Sequence, residues 1–160
     1  MKVLFISSLF PNREQPVRGI YNLYQITHLS KMCDVSVCAP FFWFPFLKKG
    51  NKGANLKNIP SFEMIQGIEA HHPRVFYTPK TARSFYGYFY FLSLLPFVRA
   101  LKPRFDFDCI YTNWLYPDAF AGMLIAKEFN RHYTACALGS DVNMYVSYHL
   151  RRRMILDVVK

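Results

Sequence analysis

Hydrophobic and polar positions follow two rhythms along this chain. Near-continuous apolar runs, suited to parallel strands buried on both faces, occur at Lys2–Leu9, Asp34–Ala39, Cys109–Thr112 and Tyr133–Ala137. Between them lie stretches of helical spacing. Ile20, Leu23, Tyr24, Ile26 and Leu29 predict a helix over Ile20–Lys31, and Phe85–Leu101, Ala119–Phe129 and Val142–Lys160 are further helix candidates. Breakers punctuate the pattern. Two prolines and mixed charges make Phe10–Arg18 a loop that ends at Gly19, and Pro40 stops the second strand. Phe41–Phe62 is irregular and reads as a surface loop, and Gly67–Tyr77 holds a strand or two interrupted by Pro73. Strands alternating with helices predict the α/β class, with a doubly wound and mainly parallel sheet. No strand follows the last helix, so the pattern reads as a doubly wound domain cut short.

Composition narrows the classes of partner. A chain of 160 residues fits one domain, and 52% hydrophobic with 18% aromatic residues excludes a disordered sequence. The net charge of +10 points to an anionic partner: phosphate, nucleotide, acidic lipid or nucleic acid. Nucleic acid needs a clustered basic face with base-stacking aromatics, and here the aromatics sit in apolar runs, so no nucleic acid is expected. Cys33, Cys38, Cys109 and Cys136 form no C-x-x-C pair, and no metal site is expected. Cys38, Cys109 and Cys136 lie in strand-like runs as small buried hydrophobes, which implies a reducing compartment. Met1-Lys2 followed by V-L-F-I imitates a secretory signal, but the run soon meets Pro11, Asn12, Arg13 and Glu14 and reads as a first strand. Phe85–Val98 carries no charge yet is too short to span a bilayer. It is either a core helix or an interfacial one.

Candidate chemistry gathers where strands end, because loops leaving the carboxyl ends of an open parallel sheet form its ligand crevice. One such loop is Asn113–Asp118, with Trp114 and Tyr116; another is Gly139-Ser140-Asp141. Their Asn, Trp, Tyr, Asp and Ser side chains suit a hydroxyl-rich ligand such as a sugar. Asp118 and Asp141 are either a carboxylate pair for that sugar or caps of the helices that follow them. Gly19 lets backbone N–H groups approach a phosphate at the next helix, or is an ordinary turn glycine. Neither G-x-G-x-x-G nor G-x-x-x-x-G-K-[ST] is present. His71 and His72 point to opposite faces of a strand, which suits structural or surface histidines better than metal ligands. Arg151–Arg153 is a solvated helix face or an anion contact.

Taken in order, the segments K-V-L-F-I-S-S-L-F-P, R-G-I-Y-N-L-Y-Q-I-T-H-L-S-K, D-V-S-V-C-A-P, D-C-I-Y-T-N-W-L-Y-P-D-A-F-A-G and L-G-S-D-V-N resemble the N-terminal half of retaining glycosyltransferases of the large group 1 family (glycosyltransferase family 4). The fourth is similar to the family's D-x-I-H-x-H-x-x-x-P-D-G and the last to its G-S-D-x-N. The resemblance implies a Rossmann-like domain, residues 1–160, forming the acceptor side of a two-domain GT-B fold, with a C-terminal nucleotide-sugar domain absent from this chain. It implies that Gly19, with Arg18 beside it, approaches the donor diphosphate. Asn113, Trp114, Tyr116, Asp118, Ser140 and Asp141 would line the sugar and acceptor cleft, so that Asp141→Ala or Asn113→Ala should lower transfer without unfolding the domain.

Departures limit what carries over. Tyr111 and Asn113 stand where the family often has the histidines of H-x-H. An asparagine hydrogen-bonds a hydroxyl but shuttles no proton, so no catalytic residue is assigned. Ala119 replaces the glycine after Pro-Asp. The domain alone is expected to bind no cofactor and to be inactive, with the nucleotide-diphosphate sugar as donor of the full enzyme. The expected partner is a glycan or lipid-linked acceptor in cell-surface polysaccharide synthesis, the setting cytoplasmic and peripheral at the inner membrane face. The basic charge and the exposed aromatics of Phe41–Leu47 and Phe85–Phe97 fit such an acidic, greasy surface. The alternative is a non-catalytic module that recruits a partner or sits on anionic membrane.

Overall fold

After its first residue β1 (Lys2–Ile6) is wholly apolar, and in the computed structural model of the chain it lies inside a six-stranded sheet. The structure describes residues 1–43, 55–78, 82–143 and 147–160. The chain continues through α1 (Ile20–Leu29), β2 (Asp34–Cys38), β3 (Phe41–Trp43), β4 (Phe62–Ile65), β5 (Ile68–His71) and β6 (Arg74–Phe76). It then forms α2 (Tyr86–Leu101), β7 (Cys109–Asn113), α3 (Phe120–Phe129), β8 (His132–Cys136), α4 (Ser140–Asn143) and α5 (His149–Val158). The sheet order is β4-β5-β2-β1-β7-β8, parallel throughout except for β4, while β3 and β6 pair in parallel as a separate ribbon.

Side-chain alternation divides the core into two layers. Phe5 and Val37 pack with Leu23 and Ile26 of α1 on one face. Leu4, Ile6, Cys38 and Ile110 pack on the other with Tyr90, Leu94 and Val98 of α2 and Ile125 of α3. The sheet is therefore covered on both faces, as the strand pattern predicts, and it is Rossmann-like. Close approach of α3 depends on Gly122, where a Cβ would stand 2.5 Å from Cγ2 of Thr112. Crossovers run from β1 toward β2 on one side and lead to β7 and β8 on the other. The switch point between β1 and β7 places a crevice at their carboxyl ends.

Three details depart from the sequence pattern. β4 falls where no strand is predicted; as a half-exposed edge strand it buries too little to mark itself. It turns into β5 through Gln66 and Gly67, both at positive φ. The expected surface loop begins with β3, whose Phe41 is buried, while Phe44–Leu47 lie outside the described residues. Cys109 and Cys136 are only half-buried, and Cys38 alone of the strand cysteines is fully enclosed. The two histidines are structural, as expected. His71 Nε2 meets Glu69 at 2.8 Å, and His72 Nε2 meets Glu63 at 2.7 Å. Among the described residues no helix is long and apolar enough to cross a membrane.

Candidate ligand crevice at the carboxyl edge of the sheet

The loop after β1 is fastened from below by hydroxyls. Ser7, fully buried, donates its N–H to the carbonyl of Cys38 at 3.1 Å, and its Oγ accepts the N–H of Leu9 at 3.2 Å. The loop then returns over itself to Gly19, which has φ 60 and ψ 33 and starts α1. A Cβ at this position would lie 2.2 Å from the carbonyl oxygen of Leu9, so both the left-handed backbone and the space require glycine. That seats the first turn of α1, with its unsatisfied N–H groups, at the carboxyl edge beside the switch point. Arg18 is held there too. Its Nε donates to the carbonyl of Ser8 at 3.0 Å and an Nη to Oε1 of Gln15 at 3.1 Å.

Asp118 faces inward. It is fully buried, and its Oδ2 accepts the Ser8 N–H at 2.9 Å and the Ser8 hydroxyl at 3.0 Å. Desolvation pushes its pKa up to about 6, against the pull of the Ser8 donors, the nearby Tyr90 hydroxyl and the Arg18 cation. Neither a helix cap nor a ligand carboxylate, it clamps the loop after β1 to the loop after β7. The start of α3 carries no side-chain cap at all.

Asn113 is buried as well. Its Nδ2 donates to Oδ1 of Asn22 at 2.6 Å and to Oε1 of Gln25 at 2.8 Å, both on α1. Asn22 in turn donates to the carbonyl of Leu9, and Gln25 to the hydroxyl of Tyr111. This polar ladder fixes α1 against β7. Burial raises the pKa of Tyr111 above that of an ordinary phenol, with the Gln25 and Asn113 contacts opposing. No motif marks Asn22 or Gln25 in the sequence. The available signal was Asn22, a polar residue adjoining Leu23 on the face that helical spacing assigns to the core.

Trp114 adopts φ 88, rare for a side chain of its size and costing on the order of 1–3 kcal/mol. Its N–H binds the carbonyl of Cys136 at 3.0 Å, and the next N–H, of Leu115, binds Oδ2 of Asp141 at 2.8 Å. Asp141 Oδ1 also accepts from Leu138 N at 3.0 Å and Val142 N at 3.1 Å. Fully buried, it joins the loops after β7 and β8 and has no face left for a ligand. Tyr116 is likewise buried. Its hydroxyl donates to the carbonyl of Ser84 at 3.1 Å and accepts the Gly87 N–H at 3.0 Å, which places its ring between α2 and α3 rather than in the crevice. Of the predicted cleft residues, Ser140 is exposed and Trp114 half-exposed.

One crevice residue had no motif to mark it. Tyr21, 46% exposed on the first turn of α1, has its pKa raised by partial burial and by Asp118 and Asp141, and lowered by Arg18. Its position thus senses all three loop anchors. Arg151 lies over the rings of Tyr148 and Tyr116, at 4.5 and 5.8 Å. No group of three or more His, Cys, Asp or Glu able to hold a metal occurs among the described residues.

A two-sided parallel sheet with a glycine-seated helix N-terminus and loops cross-tied at its switch point is a Rossmann-like domain of the kind found in GT-B folds, and the chain is similar to glycosyltransferases. It is 26% identical over 154 residues to TuaC of Bacillus subtilis (strain 168), a glycosyltransferase assigned to teichuronic acid biosynthesis, covering 92% of this chain and 39% of that protein. Sucrose-phosphate synthase from Thermosynechococcus elongatus shares the fold, with a TM-score of 0.58 at 11% identity over 99% of this chain and 40% of that one. The chain thus spans about two fifths of the length of each. No family model matches it.

Proposed function

We propose that this chain is the acceptor-side domain of a retaining glycosyltransferase that moves a sugar from a nucleotide-diphosphate sugar to a glycan or lipid-linked acceptor. Cell-surface polysaccharide synthesis is the setting, in keeping with the likeness to TuaC. The observation that carries the reading is the seat of Gly19, where the missing side chain lets α1 begin against the backbone of Leu9 and Phe10. Backbone N–H groups at such a helix start bind a diphosphate through hydrogen bonds and the helix dipole. Arg18 adds the cation beside them. Ser140, Trp114 and Tyr21 supply the surface toward the acceptor, while Asn113, Tyr116, Asp118 and Asp141 hold that surface from behind. No side chain is assigned to proton transfer. Transfer itself is proposed for this domain acting with a donor-binding domain, and the 160 residues alone are expected to bind without turnover.

The test is an amide NMR titration of the chain with uridine diphosphate and with its glucose conjugate. The expected result is selective shifts at Gly19, Ile20 and Tyr21, weakened in Arg18→Gln. Shifts confined to residues away from the Ser7–Asn22 loop, or none at all, would refute the phosphate seat.

A further inference from the structure

α2 is apolar on both of its sides. Tyr90, Leu94, Val98 and Leu101 face the core. The outward side of a surface helix is ordinarily polar. Here Phe85 and Tyr88 are 49% and 44% exposed, Leu92 is 61% exposed, and Pro96 is exposed too. Their spacing of three, four and four residues aligns them in one stripe. Phe76 of β6 meets Phe89 edge-on at 6.0 Å and carries the apolar surface onto the β3–β6 ribbon.

Charge is segregated onto the same layer. Of the 10 acidic residues none lies between Val35 and Phe62 or between Ala70 and Phe105, the two stretches that contain β3, β6 and α2. Among the described side chains the second stretch contains Arg74, Arg99, Lys102 and Arg104. Arg74 is exposed beside Phe76, its guanidinium 5.7 Å from the Trp43 ring centre. The acidic partners that reach this layer, Glu128 to Arg99 and Asp106 to Lys102, both sit at the C-terminal end of α2, away from Phe85 and Tyr88.

We propose that the outward face of α2, with the adjoining β6, docks the domain on an anionic lipid bilayer. The stripe of Phe, Tyr and Leu enters the boundary between headgroups and acyl chains, and the flanking cations meet lipid phosphates. A second copy of this chain is disfavoured as occupant, since it would bring two cationic layers together. The inference rests on the transferase reading for its purpose, presentation of a lipid-linked acceptor to the crevice. Binding itself is independent of it.

Flotation of the chain with phosphatidylcholine vesicles, with and without phosphatidylglycerol, tests the proposal. The chain is expected to float with the phosphatidylglycerol vesicles, and more weakly when salt shortens the screening length. Leu92→Glu, and separately the double variant Tyr88→Ser with Leu92→Ser, should lower partitioning by at least about tenfold, the effect of burying one leucine-sized side chain. Circular dichroism verifies that both variants fold. No flotation, undiminished flotation of folded variants, or a dimer in sedimentation velocity that Leu92→Glu dissociates would overturn the proposal. The two readings fail separately. Nucleotide shifts without vesicle binding defeat only the docking face, whereas vesicle binding without nucleotide shifts defeats only the transferase reading.

Discussion

Asp118 should make this domain more stable as the pH falls from 7 toward 4, opposite to the usual behaviour of a carboxylate in a folded protein. Its side chain is fully buried, and desolvation raises its pKa from 3.8 to about 6. Between those values the folded state holds a proton that the unfolded chain has released, so raising the pH costs stability. A tenfold difference in proton affinity between the two states is worth about 1.4 kcal/mol, so the contribution between pH 4 and pH 7 is about 2–3 kcal/mol. Other groups titrate across this range. His71, whose pKa burial lowers, acts in the opposite sense because its unfolded form takes up the proton first. The comparison with Asp118→Asn removes these shared effects. Asparagine retains an oxygen for the Ser8 donors and carries no charge to desolvate. Urea unfolding of both proteins at several pH values should show the wild type gaining about 2–3 kcal/mol relative to Asp118→Asn on going from pH 7 to pH 4. With a denaturant slope near 2 kcal/mol per M, the relative midpoint moves by about 1 M. Parallel pH profiles for the two proteins would show that the Asp118 carboxyl is not desolvated in the way its burial implies.

Two other substitutions test the crevice scaffold. Gly19→Ala combines a left-handed backbone with a Cβ that meets the Leu9 carbonyl, and should cost at least about 3 kcal/mol; at roughly 3 °C per kcal/mol for a domain of this size, thermal unfolding should fall by about 9 °C, and an unchanged melting temperature would contradict the seat described for α1. Asp141→Ala strips an acceptor from the N–H groups of Leu115, Leu138 and Val142 and should destabilise the domain by about 2–4 kcal/mol, whereas a loss under about 0.5 kcal/mol in urea unfolding is what an exposed ligand carboxylate would give.

The sheet was legible because buried parallel strands must be apolar on both faces: β2, β7 and β8 fall within a residue of the apolar runs that predict them, and β1 ends three residues before its run does. Gly19 was legible as a special position, though not the reason for it. The carbonyl of Leu9 that excludes a side chain there comes from tertiary packing. Least legible was the direction in which the loop side chains point. Asp118 and Asp141 occupy polar loops at strand ends, and a polar residue in a loop is equally consistent with reaching solvent or with turning inward to a backbone donor. Which occurs depends on the donors left unpaired nearby, such as the N–H groups of Ser8 and Leu115, and those are set by strands distant in sequence.

That inward turn has a consequence for how the crevice recognises a ligand. A strand that ends leaves backbone donors and acceptors unpaired, and burying them without partners would be costly. In this domain the carboxylates of the strand-end loops fill that need, Asp118 for Ser8 and Asp141 for Leu115 and Leu138, while Asn113 ties its amide to the side chains of Asn22 and Gln25. Side chains so occupied cannot also rearrange around a substrate, but they hold the loop backbones rigidly. The groups left toward the crevice include the first-turn N–H groups of α1, the Arg18 cation, the half-exposed Trp114 and the exposed Tyr21 and Ser140. Such a surface reads shape and negative charge more than the pattern of hydroxyls on one sugar. It suits the proposed contact with a diphosphate, a group common to many donors, and assigns discrimination among sugars to groups outside this set.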